Sequence, residues 1–194
     1  MTAIILDEDQ LNEYLGQLEA ATGCECPGED QMEVLCPEDD GAPVANSEVI
    51  EMLETALADE WLAAYQYWTC KNLARGAGRA DSVEEFDQHF KEELDHADRI
   101  MLRLNELGGR PISDPAGWRE AANPWTPADS TEVCRLLQIT TKAEEDAIAF
   151  YTECVAKCRR NGDEVTKRLF QQLLADECEH KYDLEMLAGE HCQG

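Results

Sequence analysis

The sequence predicts an all-α fold: four long helices packed as a bundle, with one long crossover between the second and third and a short N-terminal extension in front. Three observations lead there. Apolar residues recur at three- and four-residue spacing through four stretches separated by Gly, Pro and Asn breaks. No segment alternates with period two for long enough to suggest a strand. The chain also resembles itself when shifted by 84 residues: Glu60 falls on Glu144, Ala63 on Ala147, Tyr67 on Tyr151, Cys70 on Cys154, Glu93 on Glu177 and His96 on His180. Two helical hairpins related by a pseudo-twofold axis account for that repeat.

Residues 1–45 are expected to form the extension. Leu11, Leu15 and Leu18 mark one face of a short helix, and Cys24, Cys26 and Cys36 follow in an acidic loop bearing Gly and Pro. The bundle is expected over residues 46–194. Its first helix opens at Asn46-Ser47, which supply a cap, and runs to Arg75. The second follows the Gly76-Ala77-Gly78 break, is capped by Asp81 or Ser82, and ends at Gly108-Gly109. Pro111, Pro115, Gly117, Pro124 and Pro127 exclude a continuous helix through 110–129. The third helix runs from Ser130-Thr131 to Arg160, and the fourth leaves the Asn161-Gly162-Asp163 turn and reaches Gly189. A crossover of about 20 residues can span about 60 Å. That exceeds the ~40 Å length of each helix, so the third helix can start at the end where the second started.

A chain of 194 residues suits one buried domain with an appendage. The net charge of −26 is spread along the whole chain and repels nucleic acid and anionic lipid. It would attract metal cations, and it equally serves solubility or adaptation to salt. No apolar run approaches the ~18 residues of a membrane span. The opening MTAIILDEDQ lacks the basic segment and long apolar core of a secretory signal, so a cytoplasmic location is expected. Nine cysteines, an odd count, argue against a closed disulfide framework and for reduced thiols. Cys70, Cys134, Cys154, Cys158 and Cys178 fall within helices and are read as buried, inert thiols, with a redox-active pair as the alternative.

The candidate site comes from spacing. Glu60 and Glu93 are 33 residues apart, as are Glu144 and Glu177, and each midpoint falls at a predicted turn. Folding each hairpin back on its turn levels its two carboxylates. All four share a helical face with apolar residues: Glu60 with Leu53, Leu57 and Tyr67, Glu93 and His96 with Phe86 and Ile100, Glu144 with Leu137 and Ile148, Glu177 and His180 with Leu173 and Leu184. Four carboxylates therefore enter one core. A buried, uncompensated carboxylate costs several kcal/mol, and four at one level repel each other. Two divalent ions would balance the four charges, with neutral imidazoles completing the coordination. Glu93-x-x-His96 and Glu177-x-x-His180 each place carboxylate and imidazole within reach of one ion. Oxygen and nitrogen donors without thiolate suit Fe(II) or Mn(II) alike.

One Glu from each of two helices plus Glu-x-x-His from each of the other two is the ligand set of ferritin-like di-iron carboxylate bundles. On these residues the four-helix region, about three quarters of the chain, resembles the ferritin-like superfamily, above all bacterioferritins and Dps-like mini-ferritins with the centre inside each subunit. The resemblance implies Glu60 and Glu144 as terminal ligands, Glu93 and Glu177 as bridges, and His96 and His180 capping one metal each. It implies two Fe ions per chain, with Mn possible in their place, and ferroxidase chemistry in which Fe(II) is oxidised by H2O2 or O2 and Fe(III) is stored in a homo-oligomeric cage. A manganese catalase or peroxidase without storage, or a non-enzymatic metal-buffering bundle, are the rival readings.

Departures from the family narrow it. Leu94 stands where bacterioferritins carry a haem-ligating Met, so no haem is expected. Ala147 stands where rubrerythrins carry a further Glu, and no Cys-x-x-Cys knuckle is present. An internal site and an acidic N-terminus argue against DNA binding. The few residues after the fourth helix leave no room for a fifth, which favours a 12-subunit cage. Tyr67 is read either as a hydrogen-bonding or electron-donating neighbour of the site or as a core tyrosine; Tyr151, its repeat partner, likewise. His89, seven residues before His96, is read as a core or outer histidine rather than a ligand.

Overall fold

The computed structural model describes residues 46–192, so the predicted short helix around Leu11–Leu18 and Cys24, Cys26 and Cys36 lie outside the described residues. The described chain forms α1 (Asn46–Leu73), α2 (Arg79–Glu106), α3 (Pro115–Ala121), α4 (Val133–Asn161) and α5 (Glu164–His191). The four long helices contain 28, 28, 29 and 28 residues, about 42 Å each at 1.5 Å per residue. None is long and apolar enough to cross a membrane.

Two helix starts differ from expectation, for local reasons. Gly78, with φ of 70°, is the N-cap of α2 and turns the chain straight into the helix, so neither Asp81 nor Ser82 caps it. Ser82 is buried in the first turn, and Asp81 instead lies 3.1 Å from Nε2 of His191. At α4 the hydroxyl of Ser130 accepts from the backbone N–H of Glu132, and the helix opens at Val133 rather than at Ser130-Thr131. The turn between α4 and α5 behaves as its composition suggests. Gly162, with φ of 73°, closes α4, and the Asp163 carboxylate accepts from the N–H of Thr166 at 3.0 Å to cap α5. Arg103 of α2 donates to the same carboxylate at 3.0 Å, tying that end of α2 to the turn.

The crossover also holds a short helix. Pro115 occupies the first turn of α3, where its missing N–H costs nothing, and Asp114 accepts from the N–H of Ala116 at 3.0 Å. The segment is fastened to α1 at several points. Trp118 stacks on Trp61 with centroids 5.0 Å apart, and Asn123 donates through its backbone and side chain to Asp59 at 2.8 and 2.6 Å. Gln66 donates to the carbonyl of Thr126.

The crossover carries the chain from one end of the bundle to the other. The N–H of Arg75 donates to the carbonyl of Thr131 and the N–H of Val133 to that of Arg75, so α4 starts beside the end of α1. Gly78 lies against His191, placing the end of α5 there too. Helices α2 and α4 therefore run parallel, as the length of the crossover predicts, in the one-crossover topology of ferritin-like bundles. Two apolar clusters fill the interior, one around Leu53, Ile100 and Phe170, the other around Phe86, Leu137 and Leu184. The six predicted ligand residues are buried with them.

Cysteine chemistry departs from expectation. Cys134 and Cys192 form a disulfide, with Cα atoms 5.5 Å apart across 58 positions, and Cys178 is disulfide-bonded as well. Neither Cys134 nor Cys178 is the reduced thiol that an odd cysteine count suggested. The Cys134–Cys192 pairing depends on the start of α4 and the end of α5 meeting at one end of the bundle. Cys70, Cys154 and Cys158 are free and buried. Burial pushes Cys70 and Cys158 up to about 12 and Cys154 up as well, so they are unreactive thiols, as expected. Loop closure over a span of this length is worth about 4 kcal/mol. A Cys134→Ser, Cys192→Ser double variant should lose up to about that much stability in denaturant unfolding while keeping its helical content. An unchanged midpoint would mean that the bond adds nothing.

Candidate metal centre

Each predicted ligand owes its place to the hairpin geometry. The turns at Gly76–Gly78 and Gly162 bring Glu60 level with Glu93 and Glu144 level with Glu177. Glu60, Glu93, His96, Glu144, Glu177 and His180 are each no more than 3% exposed. Their ligand atoms form two sets, Glu60, Glu93, His96 and Glu177 in one and Glu93, Glu144, Glu177 and His180 in the other, with all atoms of a set within 4.8 Å of one another. Glu93 and Glu177 belong to both. All six predicted residues meet at one place.

The imidazoles fix their own orientation. Nδ1 of His96 lies 3.2 Å from both Glu93 and Glu177 and 3.4 Å from Glu60, while its Nε2 lies 3.2 Å from Asp176. Nδ1 of His180 lies 3.1 Å from Glu177 and 3.4 Å from Glu93, while its Nε2 lies 3.1 Å from Glu92. With Nε2–H donated outward to a carboxylate, each Nδ1 is free to offer its lone pair to a cation. Arg99 holds Asp176 in turn through a 3.0 Å contact. Sequence reasoning missed Glu92 and Asp176. Their signal was present: each directly precedes a shared glutamate, and the two are related by the same shift of 84.

Both tyrosines are hydrogen-bonding neighbours of the site, one of the readings the sequence offered. Tyr67 donates to Glu144 and Tyr151 to Glu60, each across to the other hairpin rather than to its own helix. Side chains lean toward the N-terminus of their helix. Glu60 therefore leans away from Tyr67, which lies C-terminal to it on α1, whereas Glu144 on the antiparallel α4 leans toward Tyr67.

Electrostatics divide the carboxylates. Burial, then repulsion from Glu93 and Glu177, pushes Glu60 well above the ordinary range, and the same forces raise Glu144. Burial opposes ionisation of Glu93 and Glu177 also, but the two imidazoles outweigh it and hold both low. Burial would lower His96 and His180, yet the surrounding carboxylates win and raise both well above 6.5. Without metal, the layer is thus balanced by protons on the imidazoles and on the outer glutamates.

The residues present fit divalent cations. Oε1 of Glu93 and Oε1 of Glu177, on the two shared carboxylates, are buried without a hydrogen bond. The donors are oxygen and imidazole nitrogen, which suit iron or manganese. A cavity of about 250 Å³ between α1, α4 and the crossover, walled by Ala63, Trp125 and Ile139, reaches Glu60, Glu144 and Glu177. Asp59 on its wall is pushed up to about 6 by burial, despite its bonds from Asn123. Small molecules have a path to the layer.

A pH dependence follows. Raised His96, His180, Glu60 and Glu144 contribute stability that is present at low pH and lost as pH rises through their folded-state values. Lowered Glu93 and Glu177 contribute stability present above 4.5 and lost as pH falls. Metal-free protein should therefore be most stable near 4.5, the ordinary glutamate value, lose thermal stability above it as Glu60 and Glu144 ionise, and lose more above 6.5 as His96 and His180 give up their protons. Divalent metal should remove the alkaline decline and release protons on binding, read as acidification of a weakly buffered solution. Metal uptake without proton release would contradict the charge state described.

Comparison with known proteins agrees with this geometry. A family model described as a ferritin-like domain matches residues 50–190. A bacterioferritin of Rhodobacter capsulatus is 34% identical over 143 residues, covering 72% of this chain and 82% of that protein. A DNA protection during starvation protein of Pyrococcus furiosus is 28% identical over 149 residues, covering 73% and 77%. Among solved structures, a dodecameric thioferritin, the bacterioferritin-related protein of Bacteroides fragilis, superposes with a TM-score of 0.72 at 35% identity, over 76% of this chain and 88% of that one. A buried layer of four glutamates and two histidines, carried on a one-crossover bundle and matched over this length, makes the chain a member of the ferritin-like family.

Proposed function

We propose that this chain is a ferroxidase subunit that takes Fe(II) as substrate, oxidises it with H2O2 or O2, and stores Fe(III) inside a homo-oligomeric cage. The observation that carries the reading is the pair of buried four-ligand sets sharing Glu93 and Glu177. Glu93 and Glu177 would be shared between two iron ions, with Glu60 and His96 holding one of them and Glu144 and His180 the other. Each Fe(II) gives up one electron. One H2O2 takes both electrons and two protons and leaves as two waters; O2 would take the same two electrons and two protons and leave as H2O2. Holding both ions against shared carboxylates makes the two-electron step possible at one place.

This chain's own residues set the conditions. His96 and His180 present Nδ1 because Asp176 and Glu92 hold Nε2. Tyr67 positions Glu144, and burial together with the nearby carboxylates raises its hydroxyl well above the ordinary value, so it keeps its proton while it holds that ligand. The relatives support storage and assembly: several are named bacterioferritins, and the Bacteroides fragilis protein is a dodecamer, in line with a 12-subunit cage. The same donors would accept manganese, and peroxide disproportionation by manganese-loaded protein without mineral would favour a catalase instead.

Glu93→Ala removes a ligand from both sets and should abolish rapid oxidation of Fe(II) on peroxide addition, with helical content by circular dichroism retained. Unchanged oxidation kinetics in that variant would refute the assignment. Asp176→Ala, which frees Nε2 of His96 and leaves Arg99 without its carboxylate, should weaken metal binding by roughly 10- to 100-fold. Anaerobic Fe(II) titration would measure that change.

A further inference from the structure

His89 does not behave as a satisfied core histidine. Its side chain is fully buried, and neither ring nitrogen makes a hydrogen bond. Nε2 nevertheless stands 3.0 Å from Oε1 of Glu85 and 4.0 Å from Oδ2 of Asp183, without the alignment that a hydrogen bond requires. One ligand atom from each of Glu85, His89 and Asp183 lies within 4.8 Å of the other two. The ring is braced in this position, stacked on His180 with centroids 4.2 Å apart and met edge-on by Tyr67 at 5.1 Å. Glu85 and Asp183 are partly exposed, at 23% and 33% of their side-chain surface, so the group opens to solvent on one side.

The internal repeat breaks at this place. The shift of 84 carries Glu85 onto Leu169, His89 onto Leu173, and Arg99 onto Asp183. The consequence is visible in the two outer carboxylates. Asp176 receives the guanidinium of Arg99, whereas its repeat partner Glu92 has an acid, Asp183, at the corresponding position. A fixed positive charge present on one side is thus replaced on the other by two carboxylates and a buried, unpartnered imidazole. Two carboxylate oxygens and one imidazole nitrogen are donors for a borderline divalent cation.

We propose that Glu85, His89 and Asp183 form a third divalent-cation site, separate from the paired centre. His89, Glu92 and His180 also bring ligand atoms within 4.8 Å of one another. The third site therefore adjoins the paired one through Glu92 and His180, and on α2 Glu85, His89 and Glu92 form a stripe leading inward. If Fe(II) is the substrate, as proposed above, this site holds an ion on its way to the pair. The site itself does not depend on that reading.

The test is calorimetric titration of the full-length, metal-free protein with Zn(II), in excess Mg(II) to mask loosely held surface carboxylates. Wild type should bind three ions per chain. Glu85→Gln with Asp183→Asn, both partly exposed and so compatible with the fold, should bind two. Glu93→Ala should keep the ion held by His89. A crystal soaked in Zn(II) should give an anomalous peak between Glu85, His89 and Asp183. Equal stoichiometry in wild type and the Glu85→Gln, Asp183→Asn variant, or no peak at that position, would overturn the proposal. Wild type that binds three ions but does not oxidise Fe(II) would instead sink the ferroxidase reading and leave this site standing.

Discussion

Six ionisable side chains share one buried layer in this molecule, and the rest of the architecture answers to the cost of putting them there. Isolated carboxylates in an apolar interior would cost several kcal/mol each. Here they face imidazoles across short distances and take hydroxyl donors from Tyr67 and Tyr151. The compensation is incomplete. Shared carboxylate oxygens remain without hydrogen bonds, and the outer glutamates are driven toward their protonated forms. A layer in this condition favours any partner that brings concentrated positive charge and tolerates oxygen and nitrogen donors. Metal affinity and metal-free instability are thus two aspects of one arrangement.

The surrounding structure keeps the layer from relaxing. Packed apolar clusters leave little room for the helices to slide. The tyrosines join one hairpin to the other at the ligands themselves, and Arg103 with Asp163 locks the far end of α2 to the turn between α4 and α5. At the opposite end the Cys134–Cys192 bond joins α4 to α5. The geometry of the layer is therefore imposed by both hairpins and both ends of the bundle, and the glutamates are not free to spread apart.

Much of this was legible in the chain. The helices and the six central residues leave periodic traces, since a helix repeats its face and the shift of 84 keeps its register, and the prolines mark the crossover. What could not be read depended on relations across the bundle. The bond from each tyrosine to the glutamate of the other hairpin follows from how side chains lean on antiparallel helices, which no spacing along one helix reveals. The disulfide joins residues that meet only because the crossover spans the bundle. Glu92 and Asp176 were hidden for another reason: they sit beside the inner face rather than on it, so a search for an apolar stripe passes them over. Helix α3 escaped because its proline occupies the one helical position where proline is welcome, and α2 begins early because a glycine does the work expected of a capping side chain.

The crossover lies over α1 and α4, and the cavity beneath it has both signs of charge at its rim, with Arg135 and Lys142 beside Asp59 and Asp146. Between α2 and α5, about one to two helical turns from the layer, the acids Glu85 and Asp183 stand with His89. The two flanks of one buried layer thus differ in polarity. In the proposed reaction an uncharged oxidant would approach under the crossover while a cation would be drawn to the other flank, so that neither would wait for the other to clear a shared passage.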